Sequence, residues 1–234
     1  MRVNSPMHRP VLHGCALGIA AVLTLAAPAA ADDEPAVLTA GTTVTPSGHR
    51  FSATAEGDVV LDAGPVKITC ARSTTTSPTG KLNRIPNRPA NTSLDGGPVT
   101  LDIAPPTFKE CTTNAPGLKA DITTNSDHGT WQLALHNGAP AELTIPAQGF
   151  TLKTSGLLSC AVTAAPDAAA HALAAWTNGA PSALGFAGAP IPVKIEGGFF
   201  CPTSITSAAI TATYKVTDVT DPAQHITVGP AQQG

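Results

Sequence analysis

The stretch Pro65-Val-Lys-Ile-Thr-Cys70 sets the class of fold. Val66, Ile68 and Cys70 fall on one side of an extended chain, Lys67 and Thr69 on the other. Successive side chains of a strand point to opposite faces, so the cysteine points inward with the apolar set. The same period of two returns along the chain. Leu101 and Ile103 alternate with Thr100 and Asp102, and Trp131, Leu133 and Leu135 alternate with Gln132, Ala134 and His136. Leu143 and Ile145, then Phe150 and Leu152, continue it. Ile191, Val193 and Ile195 face away from Pro192, Lys194 and Glu196, and Ile210, Ala212, Tyr214 and Val216 close the series. Turn residues break the runs at Ala63-Gly64-Pro65, Asp95-Gly96-Gly97-Pro98, Asn137-Gly138 and Gly197-Gly198. Asn137-Gly138, between two alternating runs, is the strongest hairpin signal. The expectation is an all-β fold: an antiparallel β-sandwich or barrel-like sandwich with at most one short helix.

That one helix is expected at about Ala168 to Trp176. Pro166-Asp-Ala-Ala-Ala-His-Ala-Leu-Ala-Ala-Trp-Thr-Asn-Gly179 is rich in the best helix former, with Asp167 as N-cap and Asn178-Gly179 as stop. The alternative is a strand filled with alanine.

Four cysteines frame the chain: Cys70, Cys111, Cys160 and Cys201, with spacings of 41 residues inside each pair and 90 between pairs. Leu101-Asp-Ile103 leading to Phe108-Lys-Glu-Cys111 is echoed by Ile191-Pro-Val193 leading to Phe199-Phe200-Cys201. This reads as two related half-units, about 42–136 and 137–228, followed by a tail at 229–234. One larger sandwich and two immunoglobulin-sized domains both suit this length.

The start of the chain reads as an export signal. Arg2 and Arg9 precede an apolar run from Cys15 to Ala27, and Ala29-Ala30-Ala31 is a small-residue cleavage site. Residues 1–31 are therefore read as a signal peptide and 32–41 as a flexible lead. Without residues 1–31 the chain has 11 basic and 16 acidic residues, a net charge of −5. That balance argues against nucleic-acid binding. The expected location is secreted, outside the cell or at its envelope, without stable membrane insertion after cleavage. Four cysteines in an oxidising compartment read as two disulfides, whereas zinc sites place ligands only a few residues apart. Three pairings are possible. Locality favours Cys70–Cys111 and Cys160–Cys201.

Several pieces together resemble a group of exported actinobacterial β-rich proteins without an assigned function. They are Pro65-Val-Lys-Ile-Thr-Cys70, Thr107-Phe-Lys-Glu-Cys111-Thr, Gly129-Thr-Trp-Gln-Leu133, Ser159-Cys160, Thr177-Asn178 and Phe200-Cys201. The resemblance implies a secreted, mostly β protein and transfers no active site. The order Cys160, Trp176, Cys201 is similar to that of immunoglobulin domains at the level of sandwich architecture alone.

No catalytic motif is found. Gly-x-Ser-x-Gly is absent, and His49, His128, His136, His171 and His225 stand in no Ser- or Cys-centred pattern. A hydrolase would require one of them within hydrogen-bond reach of a Ser or carboxylate inside a cleft. Asp127-His128 reads as a solvated turn, and Asn125-Ser-Asp127 lacks the further ligands of a calcium loop. No cofactor is implied. The segment Ala71 to Pro98 holds Arg72, Lys81, Arg84 and Arg88 against Asp95 alone and reads as a long loop. Its charge suits an anionic envelope polymer. Ala161 to Ala189 is nearly uncharged and holds Trp176, expected to be the one large aromatic able to face solvent, while Trp131 and Tyr214 point inward by parity. The leading expectation is a non-catalytic binding or structural module. Two alternatives are a secreted hydrolase and a carrier whose Trp176 segment lids an apolar cavity.

Overall fold

A computed structural model describes residues 41–231. The described chain is all β. Its strands are β1 (Thr42–Thr45), β2 (Phe51–Ala55), β3 (Val59–Ala63), β4 (Val66–Thr76), β5 (Thr92–Ser93), β6 (Val99–Ile103), β7 (Thr107–Thr113) and β8 (Leu118–Thr124). They continue with β9 (Trp131–Leu135), β10 (Ala141–Ile145), β11 (Phe150–Gly156), β12 (Cys160–Ala164), β13 (Ala170–Thr177), β14 (Ser182–Gly197), β15 (Ser207–Asp218) and β16 (Thr227–Pro230). The period-two pattern explains them. Ile191, Val193 and Ile195 are buried while Pro192, Lys194 and Glu196 are exposed, and β6, β9, β10 and β15 alternate likewise. The Asn137-Gly138 hairpin forms, pairing Ala134 with Glu142.

Long strands tie two barrel-like lobes together. The second part of β14 pairs with β12, then β11 and β8, while the first part pairs with β13, then β10, β9 and β6. Along its other edge β14 pairs with β15, which turns from β3 to β2 along its length. β4 also serves both lobes, pairing with β3 and then β2, and with β7 on its far edge. A strand that changes lobes must re-aim its inward face. In β14 this happens at a bulge: Phe186 and Ala189 are both buried, with Ala187 and Gly188 both outward and Gly188 at φ 69°. In β4 the outward pair is Ala71-Arg72, between buried Cys70 and Ser73.

The second lobe closes without a strand. Asn83 lies between β2 and β6, fully buried at φ 51°. Its backbone N–H donates to Asp102 O at 2.8 Å, and its C=O accepts from Phe51 N at 2.9 Å. Its side-chain oxygen accepts from Ala104 N at 2.7 Å, and its amide donates to Thr75 Oγ1 at 3.2 Å. Asparagine tolerates the left-handed region better than most residues, so one residue bridges β2 and β6 through its backbone while its side chain ties Ala104 to Thr75.

Both disulfides are those favoured by locality, Cys70–Cys111 and Cys160–Cys201. Cys70 and Cys111 are directly opposite on β4 and β7, whereas Cys160 opens β12 and Cys201 lies in the turn after β14. Each closes a loop that the chain-entropy picture values at roughly 4 kcal/mol.

Three expectations need correction. The stretch 168–176 is not a helix; Ala170 to Thr177 form β13. Ala170, Ala172 and Ala174 are buried on its inward face, and pairing with β10 on one edge and β14 on the other outweighs alanine's helix propensity. The segment 71–98 is not one long loop, since β4 runs through Arg72 to Thr76, and Asn83, Ile85 and Asn91 are buried. The polar residues there read as solvated because their partners are distant in sequence. The stretch read as a tail begins inside β16, which ends at Pro230 and pairs with β1. Of the two arrangements that suit the length, the single domain is the one found, with the halves 42–136 and 137–228 in one body. The 136/137 boundary falls within the β9–β10 hairpin, and β15 pairs with β2 and β3. The expected signal peptide and nearly all of the lead lie outside the described residues.

Candidate functional site

The inward faces of both lobes line an apolar cavity of about 90 Å³. One water takes up roughly 10–15 Å³, so the space exceeds several waters. Phe108 and Phe150, edge to face at 5.6 Å, stand in its wall with Leu61, Ile68, Trp131 and Phe186. Polar side chains are few and already engaged. Thr75 donates to Ala104 O at 2.6 Å, and the Tyr214 hydroxyl shares a 2.7 Å hydrogen bond with Ser73. The indole N–H of Trp131 donates to Asn125 O at 2.7 Å. Burial pushes the Tyr214 phenol up to about 12, against the hydrogen bond from Ser73. A lining of this kind offers a guest dispersion contacts and no hydrogen bond.

Parity placed Trp131 and Tyr214 inward, and both are buried. Trp176 is only half-buried. Its ring packs with Phe51, Leu101, Leu135 and Ile226, and its indole N–H donates to Asn178 Oδ1 at 2.8 Å. It does not lid the cavity, because there is no room beneath it. Nor is it the one solvent-facing large aromatic. Phe199 is 96% exposed and Phe200 75%, with their rings edge to face at 85° and not coplanar. The parity argument missed them because they lie in a turn, where alternation has no meaning.

The cations of 71–98 are only partly gathered. Arg72 projects from β4 and pairs with Glu110 at 3.2 Å, both exposed. Arg84 donates through Nε to Gly48 O at 2.9 Å and through a terminal nitrogen to Asn87. Lys81 and Arg88 are exposed. Arg50 joins them from outside the segment, bridging Arg84 through the backbone and donating to Ser77 O and Gly80 O. No local signal marks Arg50, because the contact depends on how the segment folds over β2.

Two histidines reach carboxylates. His49 Nδ1 lies 2.7 Å from Asp218 Oδ2, and His171 Nδ1 lies 2.8 Å from Glu142 Oε1 and 3.3 Å from Thr144 Oγ1. Neither pair lines the cavity. Asp218 is buried, and its other oxygen accepts from Thr220 N and Asp221 N, capping the turn after β15. The His171 pair is exposed on the outer face of β10 and β13. Asp127-His128 is an exposed turn, where Asn125 Oδ1 accepts from Asp127 N at 3.0 Å. Among the described residues no group of three or more His, Cys, Asp or Glu is placed to hold a metal ion.

No protein-family model matches the chain, and no curated protein or solved structure matches it either.

Proposed function

We propose that the protein is an exported, non-catalytic binding module whose ligand is a small apolar molecule held between the sheets. The observation that carries this reading is the cavity, lined by inward faces of most of the strands and holding no unengaged polar side chain. Dry apolar cavities in folded proteins take up small hydrocarbons. The carboxylate-paired histidines do not enter this space, which supports binding over catalysis. The two disulfides fit an oxidising extracellular setting; export by a cleaved signal and membership among exported actinobacterial proteins are part of the proposal.

Titration with benzene, followed by calorimetry, tests the reading. One saturable site per chain is the expected outcome. Uptake that never saturates, or none, would contradict it.

A further inference from the structure

Phe199 and Phe200 occupy the two corners of a tight turn, Gly198–Cys201, closed by a 2.9 Å hydrogen bond from Cys201 N to Gly198 O. Such corners usually hold Gly, Asn, Asp or Pro. Here they hold two phenylalanines, 96% and 75% exposed. Cys201 anchors the turn through its disulfide to Cys160, and Cys160 pairs with Gly197 across β12 and β14. Leu157, 78% exposed, tips the adjacent β11–β12 turn at the same end of the sheet. Three large apolar side chains thus stand out on two turns stapled together.

We infer that this tip is a lipid-contact site, which inserts its side chains into the interfacial layer of a bilayer. A second copy of the chain is the weaker occupant. Phenylalanines bury roughly 150–250 Å² each, so two with a leucine fall short of the roughly 800 Å² per partner that a stable interface needs. A convex point also lacks the complementary contour such an interface requires, while acyl chains flow around a protrusion and need none. Of the flanking cations, Lys194 pairs with Glu196 at 2.9 Å and Lys67 with Asp62 at 3.3 Å, while Lys119, opposite Ser155 beside the Leu157 turn, is exposed. On a zwitterionic bilayer, which offers these cations no net charge, apolar insertion carries the contact. The tip acts as stated whatever the cavity holds.

The test is co-sedimentation of the purified chain with phosphatidylcholine vesicles, at low and at raised salt. The wild type should partition to the vesicles equally at both, and the double variant Phe199→Ala/Phe200→Ala should partition at least ten-fold less. The removed rings are exposed, so the variant should fold and bind benzene as the wild type does, which separates failure of this inference from failure of the cavity reading. A Phe199→Trp variant should shift its emission to the blue on adding vesicles. Absence of wild-type binding, equal binding by the double variant, or binding lost at raised salt would overturn the inference. So would a dimer that forms without vesicles and is abolished by the double variant.

Discussion

Tyr214 and Asn83 report on the interior one residue at a time. Tyr214 is the only tyrosine of the chain, so phenolate absorbance has a single source. Its phenol is held up to about 12 by burial, against about 10 in an unfolded chain. Between those values the native state keeps a proton that the unfolded state has lost. Stability should therefore fall as pH rises from about 10 to 12, by on the order of 3 kcal/mol in all. Absorbance should stay silent through pH 10 and rise with unfolding; a reversible titration near 10 with the fold intact would place the ring in water. Asn83→Ala removes the acceptor for Ala104 N and puts a Cβ-bearing residue without a local hydrogen bond at positive φ. We expect a loss of about 2–3 kcal/mol in urea unfolding, and an unchanged midpoint would show that the second lobe closes by other means. Neither role was legible in the sequence in full. Parity placed Tyr214 inward, but Asn83 sits among Ser, Thr, Pro and Asn residues that look solvated, and its partners lie on strands read independently.

At the level of elements, alternation was the dependable signal and propensity the misleading one. Val66-Lys-Ile-Thr-Cys70 and Ile191-Pro-Val-Lys-Ile195 could be read as strands because one face is buried and the other wet. The alanine-rich run 168–176 carried a helix former at both inward and outward positions, so composition hid its period. β13 can be tested directly. Ala172→Lys buries a charge at a fully buried position and should unfold the protein or cost more than about 4 kcal/mol, while Leu173→Lys, next to it on the exposed face, should cost under about 1 kcal/mol. Similar damage from both would restore the helical reading, in which the two positions share a buried side. The bulge at Ala187-Gly188 and the outward pair Ala71-Arg72 were not legible either. Each reverses parity inside one strand, and a single sequence shows such a reversal only as a break in the pattern.

At the scale of the whole molecule, locality correctly paired the cysteines, and their equal spacings suggested halves that the topology interleaves. Equal spacing constrains loop length and says nothing about which edges meet; β14 and β15 run through both lobes, so the lobes share strands and a core. The cavity follows from that sharing, because two lobes joined on common strands must fill one interior with side chains that are mostly small or branched. No stretch of sequence signals it, since its lining comes from strands spread over the chain. The binding role requires that space to take a guest. The most direct measurement is thermal unfolding of the wild type and of Ala164→Leu, which grows a side chain from the cavity wall, each with and without benzene. Benzene at ten times its dissociation constant should stabilise the wild type by about 1.4 kcal/mol, raising Tm by roughly 3–6 °C. The variant should start at an equal or higher Tm and gain nothing from benzene. A variant destabilised by the roughly 1–3 kcal/mol of an overpacked core, together with a wild type indifferent to benzene, would contradict the account.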